Sequence, residues 1–99
     1  MPKETILVVE DDGILSMYLH DALVGLNYSV LAPVTTGEAA IAAVAEYEPD
    51  LVLMDIELAG EMNGISSAEQ IQETSNVPVI FVTSYSDDGL LKKAKKAAP

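Results

Sequence analysis

Apolar residues follow two rhythms along this chain: short unbroken runs, and longer stretches in which they recur every third or fourth position. The unbroken runs are residues 5–9, 28–34, 51–54 and 77–82, rich in Val, Ile and Leu and bounded by breakers or charge. Runs of this length read as strands buried on both faces, as in a parallel sheet. Pro33 interrupts the second run late, which suits an edge strand, and Pro78 stands at the entrance of the fourth, where a missing N–H costs least. In two of these runs acid begins where apolar stops: Glu10-Asp11-Asp12 follows the first and Asp55 follows the third.

The periodic stretches fill the gaps. Asp12 is placed to cap a helix with an apolar stripe of Leu15, Leu19, Ala22, Leu23 and Leu26, ended by Gly25 and Asn27. Thr35 and Glu38 have capping-box spacing ahead of an Ala-rich run to Tyr47. Residues 56–63 read as a loop, and residues 64–75 as a helix with Ile65, Ala68 and Ile71 or Gln72 inward. Thr83-Ser84-Tyr85 closes the fourth strand. Ser86-Asp87-Asp88 then opens a last helix, whose acids at the start and lysines 92, 93, 95 and 96 near the end complement its dipole. The order β-α-β-α-β-α-β-α with short connections calls for an α/β fold: a doubly wound, flavodoxin-like parallel sheet, order 2-1-3-4, with right-handed crossovers.

At 99 residues and 49% hydrophobic, the chain makes one domain with ample material for a core. Sixteen acids against five basic residues give a net charge of −11, so nucleic acid and anionic membrane are poor direct partners. Absence of Cys excludes disulfides, thiolate nucleophiles and thiolate metal sites. The first apolar run is too short for a signal-peptide core and none approaches a membrane span, so a cytoplasmic location is expected.

In a doubly wound sheet, ligands collect beyond the carboxyl ends of the strands, where strand order reverses. The order 2-1-3-4 makes the first, third and fourth strands neighbours, and brings Glu10, Asp11, Asp55 and Thr83 to one pocket. Three carboxylates ~4–5 Å apart repel by roughly 3–4 kcal/mol per pair at an effective dielectric of about 20, so the cluster calls for a cation. An all-oxygen donor set selects Mg²⁺, Mn²⁺ or Ca²⁺ over zinc. Asp55, a strand-end carboxylate beside such an ion, becomes a nucleophile and covalent phosphate acceptor, with the Thr83 hydroxyl able to donate to a phosphate oxygen. The bland alternative makes these acids helix caps and turn residues; it is preferred for Asp12 alone. His20 lies off the apolar stripe and reads as a surface histidine rather than a phosphohistidine.

These residues resemble a known family. Ile6 to Asp12, Leu51 to Ile56 and Val77 to Asp87 look like the three motifs of the receiver domain of bacterial and archaeal two-component response regulators, in order and spanning essentially the whole chain. The resemblance implies that Asp55 accepts a phosphoryl group from a sensor histidine kinase or phosphotransfer protein. It implies Glu10, Asp11 and Asp55 as ligands of Mg²⁺, or Mn²⁺, with the backbone carbonyl of Glu57 as a further ligand. Thr83 would be the switch hydroxyl, and Glu57 and Tyr85 would tune how fast water removes the phosphate. A downstream protein or output domain would read the switch, and a homodimer is a further partner the family allows.

Three departures stand out. Glu10 replaces the commoner Asp. Ala59 stands where many members have Pro, and Gly64 comes one residue late, so a longer or bulged loop is expected after Asp55. The chain stops at Pro99, where the family continues into a fifth strand carrying a lysine and the switch aromatic, and then a fifth helix. These residues are therefore expected to be a receiver domain incomplete at its C-terminus, with no effector domain, cut from a longer chain. Strand 4 would then be an open apolar edge and the first helix would lose a neighbour. Rival readings are a pseudo-receiver binding module that never turns over and a haloacid-dehalogenase-type phosphatase. The phosphatase wants a second Asp where Glu57 stands. A flavin module is weaker still, because the first loop offers acids instead of a phosphate cradle.

Overall fold

The computed structural model describes residues 3–58 and 61–82. The last helix with its four lysines, together with Thr83, Ser84 and Tyr85, lies outside them. Four strands, β1 (Thr5–Val9), β2 (Ser29–Val30), β3 (Leu51–Asp55) and β4 (Val79–Val82), alternate with three helices, α1 (Gly13–Gly25), α2 (Gly37–Tyr47) and α3 (Gly64–Thr74). All pairings are parallel and the order is β2-β1-β3-β4, as the run-and-stripe pattern indicates. The register sets Val9 beside Met54 and Asp55 beside Val82, so the strands finish together along one edge.

The sheet separates two unequal layers. Leu7 and Val9 of β1, Val52 and Met54 of β3 and Val79 of β4 form one core with Ala40, Ala43 and Val44 of α2 and Ala68 and Ile71 of α3. Small residues let these helices approach closely. Gly37 is buried, and a Cβ there would overlap the hydroxyl of Ser67, itself fully buried and bonded to the Asn63 carbonyl at 2.7 Å. On the other face α1 packs against β1 and β2. Ile6 and Val8 are buried there, while Leu51 and Leu53 are only half-covered and Ile80 of β4 is exposed.

That imbalance corrects the expectation of strands buried on both faces: β3 alternates between fully and partly buried positions because α1 does not reach across it. The stripe of α1 also needs correction. Leu15, Leu19 and Leu23 are half-buried, Ala22 and Leu26 are exposed, and the one buried residue of the helix is Ser16. Strand β2 shrinks to two residues; past Pro33 only an isolated Val9–Val34 bridge continues the pairing, in keeping with an edge strand. The cap of α2 is Thr36 rather than Thr35, its hydroxyl accepting from the Ala39 N–H at 3.2 Å. The backbone is still extended at Thr36 (φ −130°, ψ 158°), so the helix begins one residue later, at Gly37. Strand β4 starts two residues after Val77, although the Pro78 carbonyl already accepts from Val52 at 3.0 Å.

Candidate functional site

Each acid at the strand-end edge is held by a local device. The N–H of Glu10 donates to the Val34 carbonyl at 3.0 Å, which extends the β1–β2 pairing one step past the strand and turns the side chain inward. Glu10 is only 3% exposed. Its carboxyl accepts from the Asp12 N–H at 3.0 Å, while the Asp12 carboxylate accepts from Ile14 and Leu15 at 2.9 and 3.1 Å. Asp12 is thus the helix cap expected of it, and also the brace of Glu10. Asp11, between them, is exposed.

Asp55 arrives from the central strand β3. One of its carboxylate oxygens accepts from the Glu57 N–H at 3.2 Å, an Asx-type turn that bends the chain away from the sheet. The loop that follows returns at Gly64, whose N–H donates to the Ile56 carbonyl at 2.8 Å. Gly64 is buried, and any Cβ there would overlap the Asp55 carbonyl and come within 2.9 Å of the Ile56 Cα. The first turn of α3 therefore rests on the backbone of Asp55. Pattern reading missed this role: a lone Gly opening a helix was the only signal, and the close approach is visible only in three dimensions.

Glu10, Asp11 and Asp55 each offer a carboxylate oxygen, all within 4.8 Å of one another. An open cleft above them is lined by Glu10, Asp11, Asp12, Leu15, Asp55, Glu57 and Leu58. Burial pushes Glu10 up from the usual carboxylate range to about 7, reinforced by a carboxyl–carboxyl hydrogen bond to Asp55 and by the charges of Asp55 and Asp11. Burial also raises Asp55, and the same bond from Glu10 and the Glu57 amide partly oppose it. Burial and the neighbouring carboxylates thus favour the protonated form of Glu10 beside Asp55. A proton relieves the repulsion that a divalent cation would otherwise offset, and the donors are all oxygen, so the residues present fit a Mg²⁺ or Mn²⁺ ion.

Of the residues singled out by sequence, Glu10, Asp11 and Asp55 are brought together and Glu57 lines the same cleft. Thr83 and Tyr85 lie outside the described residues, as do Ala59 and Gly60 in the loop after Asp55. His20 sits on α1 beside Asp21 at 3.4 Å and is not part of the cleft. Leu15 and Leu58, which pattern reading assigned to core and loop, form its apolar walls.

A family model described as the response regulator receiver domain matches residues 6–98. The chain belongs to this family. Among curated receivers, it is 39% identical over 85 residues to the DNA-binding response regulator MtrA of Mycobacterium tuberculosis, covering 86% of this chain and 36% of that protein. It is 32% identical over 83 residues to a protein-glutamate methylesterase/protein-glutamine glutaminase of Natronomonas pharaonis, covering 84% and 23%. The chain thus spans well under half the length of these relatives. Among solved structures, the signal receiver domain of a modulated diguanylate cyclase from Desulfovibrio desulfuricans superposes with a TM-score of 0.90 at 33% identity, covering 96% of this chain and 75% of that one. Receivers of this family are regulatory, and among the described residues no helix is long and apolar enough to cross a membrane.

Proposed function

We propose that this receiver is the phosphoacceptor of a two-component system and that Asp55 takes the phosphoryl group from a sensor histidine kinase or phosphotransfer protein. The observation that carries the reading is the convergence of the Glu10, Asp11 and Asp55 carboxylates within 4.8 Å at the ends of two adjacent strands. An Asp55 oxygen attacks phosphorus, the P–N bond to the kinase imidazole breaks, and the imidazole leaves with the bonding pair and takes up a proton. Water later attacks the aspartyl phosphate and returns the carboxylate and inorganic phosphate. Glu10, Asp11, Asp55 and the Glu57 backbone carbonyl would hold Mg²⁺ or Mn²⁺, which when bound would supply positive charge to offset the phosphoryl oxygens and the acids around them.

The chain's own residues do the positioning. The Glu57 amide fixes the Asp55 carboxylate, Gly64 fixes its backbone, and Asp12 holds Glu10. Thr83, the next residue after β4, is the hydroxyl that responds to the phosphoryl group, and the side chains of Glu57 and Tyr85 set the access of water. Residues 1–99 act as one receiver unit in the cytoplasm, read out by a downstream protein or an output domain. The test is incubation with a small acyl phosphate and Mg²⁺, followed by intact mass and a phosphate-affinity mobility shift. Wild type gains one phosphoryl group and Asp55→Asn gains none. No gain in wild type, with a partner still bound, would leave a binding module that never turns over; equal gain in Asp55→Asn would move the acceptor elsewhere.

A further inference from the structure

Asn63 alone of the chain's asparagines is followed by glycine; Asn27 precedes Tyr28 and Asn76 precedes Val77. The pair matters chemically because the backbone nitrogen of the next residue can attack the side-chain amide carbon of an asparagine and close a cyclic imide. A side chain on that next residue hinders the approach, whereas glycine has none and bends freely into the ring. Asn63 is exposed, so water reaches it, yet both reacting groups are occupied. The Gly64 N–H donates to the Ile56 carbonyl at 2.8 Å, and the Asn63 side-chain oxygen accepts from the Ser66 N–H at 2.8 Å as the cap of α3. The Asn63 backbone carbonyl accepts from the Ser67 N–H at 3.0 Å and the Ser67 hydroxyl at 2.7 Å. Gly64 itself is buried against the Asp55 carbonyl. The peptide between Asn63 and Gly64 therefore cannot turn toward the side chain until the first turn of α3 lifts from the end of β3.

We propose that Asn63-Gly64 is a deamidation site held shut by this packing, and that its isoaspartyl product disables the phosphoryl acceptor. The consequence for uptake rests on Asp55 being that acceptor. When the turn opens, the Gly64 nitrogen loses its proton and bonds to the Asn63 side-chain carbon. The bond from that carbon to the amide nitrogen breaks, and the nitrogen leaves with the electron pair and a proton as ammonia. Water then opens the imide at either carbonyl. Breaking the newly made bond restores an ordinary backbone with aspartate in place of Asn63, which still caps α3. Breaking the old peptide bond instead routes the chain through the side-chain carbon, an isoaspartate with one extra methylene in the backbone. That methylene enters where the loop is closed, and the carbonyl that Ser67 bonds becomes a carboxylate off the chain. Gly64 then no longer meets the Ile56 carbonyl and the Asp55 backbone together, and Asp55 loses the support that positions it. Because opening is local unfolding, the reaction records the time that the base of the loop spends apart.

The test ages purified wild type in mildly alkaline buffer, with and without guanidinium chloride. Residue 63 is followed by peptide mass spectrometry and by enzymatic carboxyl methylation, which reports isoaspartate. Asn63 should convert at least about tenfold faster in denaturant, while Asn27 and Asn76 remain amides in both. Ser67→Ala, which removes one bond to the Asn63 carbonyl, should speed conversion in the folded chain roughly threefold and leave the rate in denaturant unchanged. Uptake from a small acyl phosphate with Mg²⁺ is then read on the separated, refolded forms beside their thermal melts. Asn63→Asp, the stand-in for the ordinary product, should take up the phosphoryl group like fresh wild type, and the isoaspartyl form should be slower by at least about tenfold. Equal conversion with and without denaturant, no conversion of Asn63 in denaturant, a Ser67→Ala variant no faster than wild type, or an isoaspartyl form phosphorylated like wild type overturns the proposal. So does an isoaspartyl form that has lost the whole fold, because the damage would then not be local. A fresh wild type that takes up no phosphoryl group fails the acceptor reading and with it the disabling, and the ratio of rates with and without denaturant still decides the site.

Discussion

The two helical layers of this sheet solve the same problem in opposite ways. On one face α2 and α3 press small residues, Gly37, Ala40, Gly64, Ser67 and Ala68, into a close-packed interior. On the other, α1 covers part of the sheet and turns Ile14, Met17 and Tyr18 outward. The close-packed layer fixes the backbone of Asp55, and the open layer leaves apolar side chains of α1 at the surface. Close packing and open surface thus lie on different sides of one acid cluster.

Matched substitutions on the two layers test this division. Ile71→Ala, in the closed layer, should cost about 2–5 kcal/mol in urea unfolding, while Ile14→Ala on α1 should cost less than about 0.5 kcal/mol. Similar losses for both would mean that α1 is as tightly packed as α3. Two glycines give a sharper contrast. Gly64→Ala forces a methyl into the Asp55 carbonyl and should destabilise by at least about 2 kcal/mol; Gly25→Ala meets open space and should stabilise by about 0.5–1 kcal/mol through helix propensity. A harmless Gly64→Ala would remove that residue from its positioning role.

The junction of the layers is the acid cluster, and its response to pH is the next largest effect. Because folding raises Glu10 from 4.5 to about 7, the metal-free folded chain binds this proton more tightly than the unfolded chain. That contribution to stability is fully present below about pH 4.5 and is lost as pH rises through about 7, a change on the order of 2 kcal/mol. Urea midpoints in chelator should therefore fall between pH 5 and pH 8. Glu10→Gln should flatten that fall, and Mg²⁺ should restore the midpoint at pH 8. A midpoint that rises with pH in wild type would contradict a neutral buried Glu10. A smaller effect belongs to Asp12→Ala, which removes the cap of α1 and should cost about 1 kcal/mol, read from the thermal melt.

The architecture was legible from the chain because four strands announce themselves as apolar runs and acids fall at the ends of the first and third. Asp55 and Glu10-Asp11 could be placed together from strand order alone. What escaped was whatever depends on distance between segments. An apolar run looks the same whether a helix covers one face or both, so the half-open side of β3 had no signature. Ser16, a polar residue, is the buried member of α1, and hydrophobic periodicity points past it. Thr35 and Thr36 are equally good caps by composition; only the backbone, extended through Thr36, and the Thr36 hydroxyl on the Ala39 amide tell them apart. Gly64 reads as an ordinary helix start until its Cα is seen resting on the Asp55 carbonyl.

The hydrogen bond from Gly64 to Ile56 also separates two properties that loops usually tie together. With its base closed there, lengthening the segment between Leu58 and Asn63, beyond the Glu57 amide that holds Asp55, should leave Asp55 in place at a loop-closure cost of about 0.6 kcal/mol for each doubling. The same property makes this loop a natural port for a reporter peptide, one that senses the occupancy of the cleft while leaving the acid that fills it undisturbed.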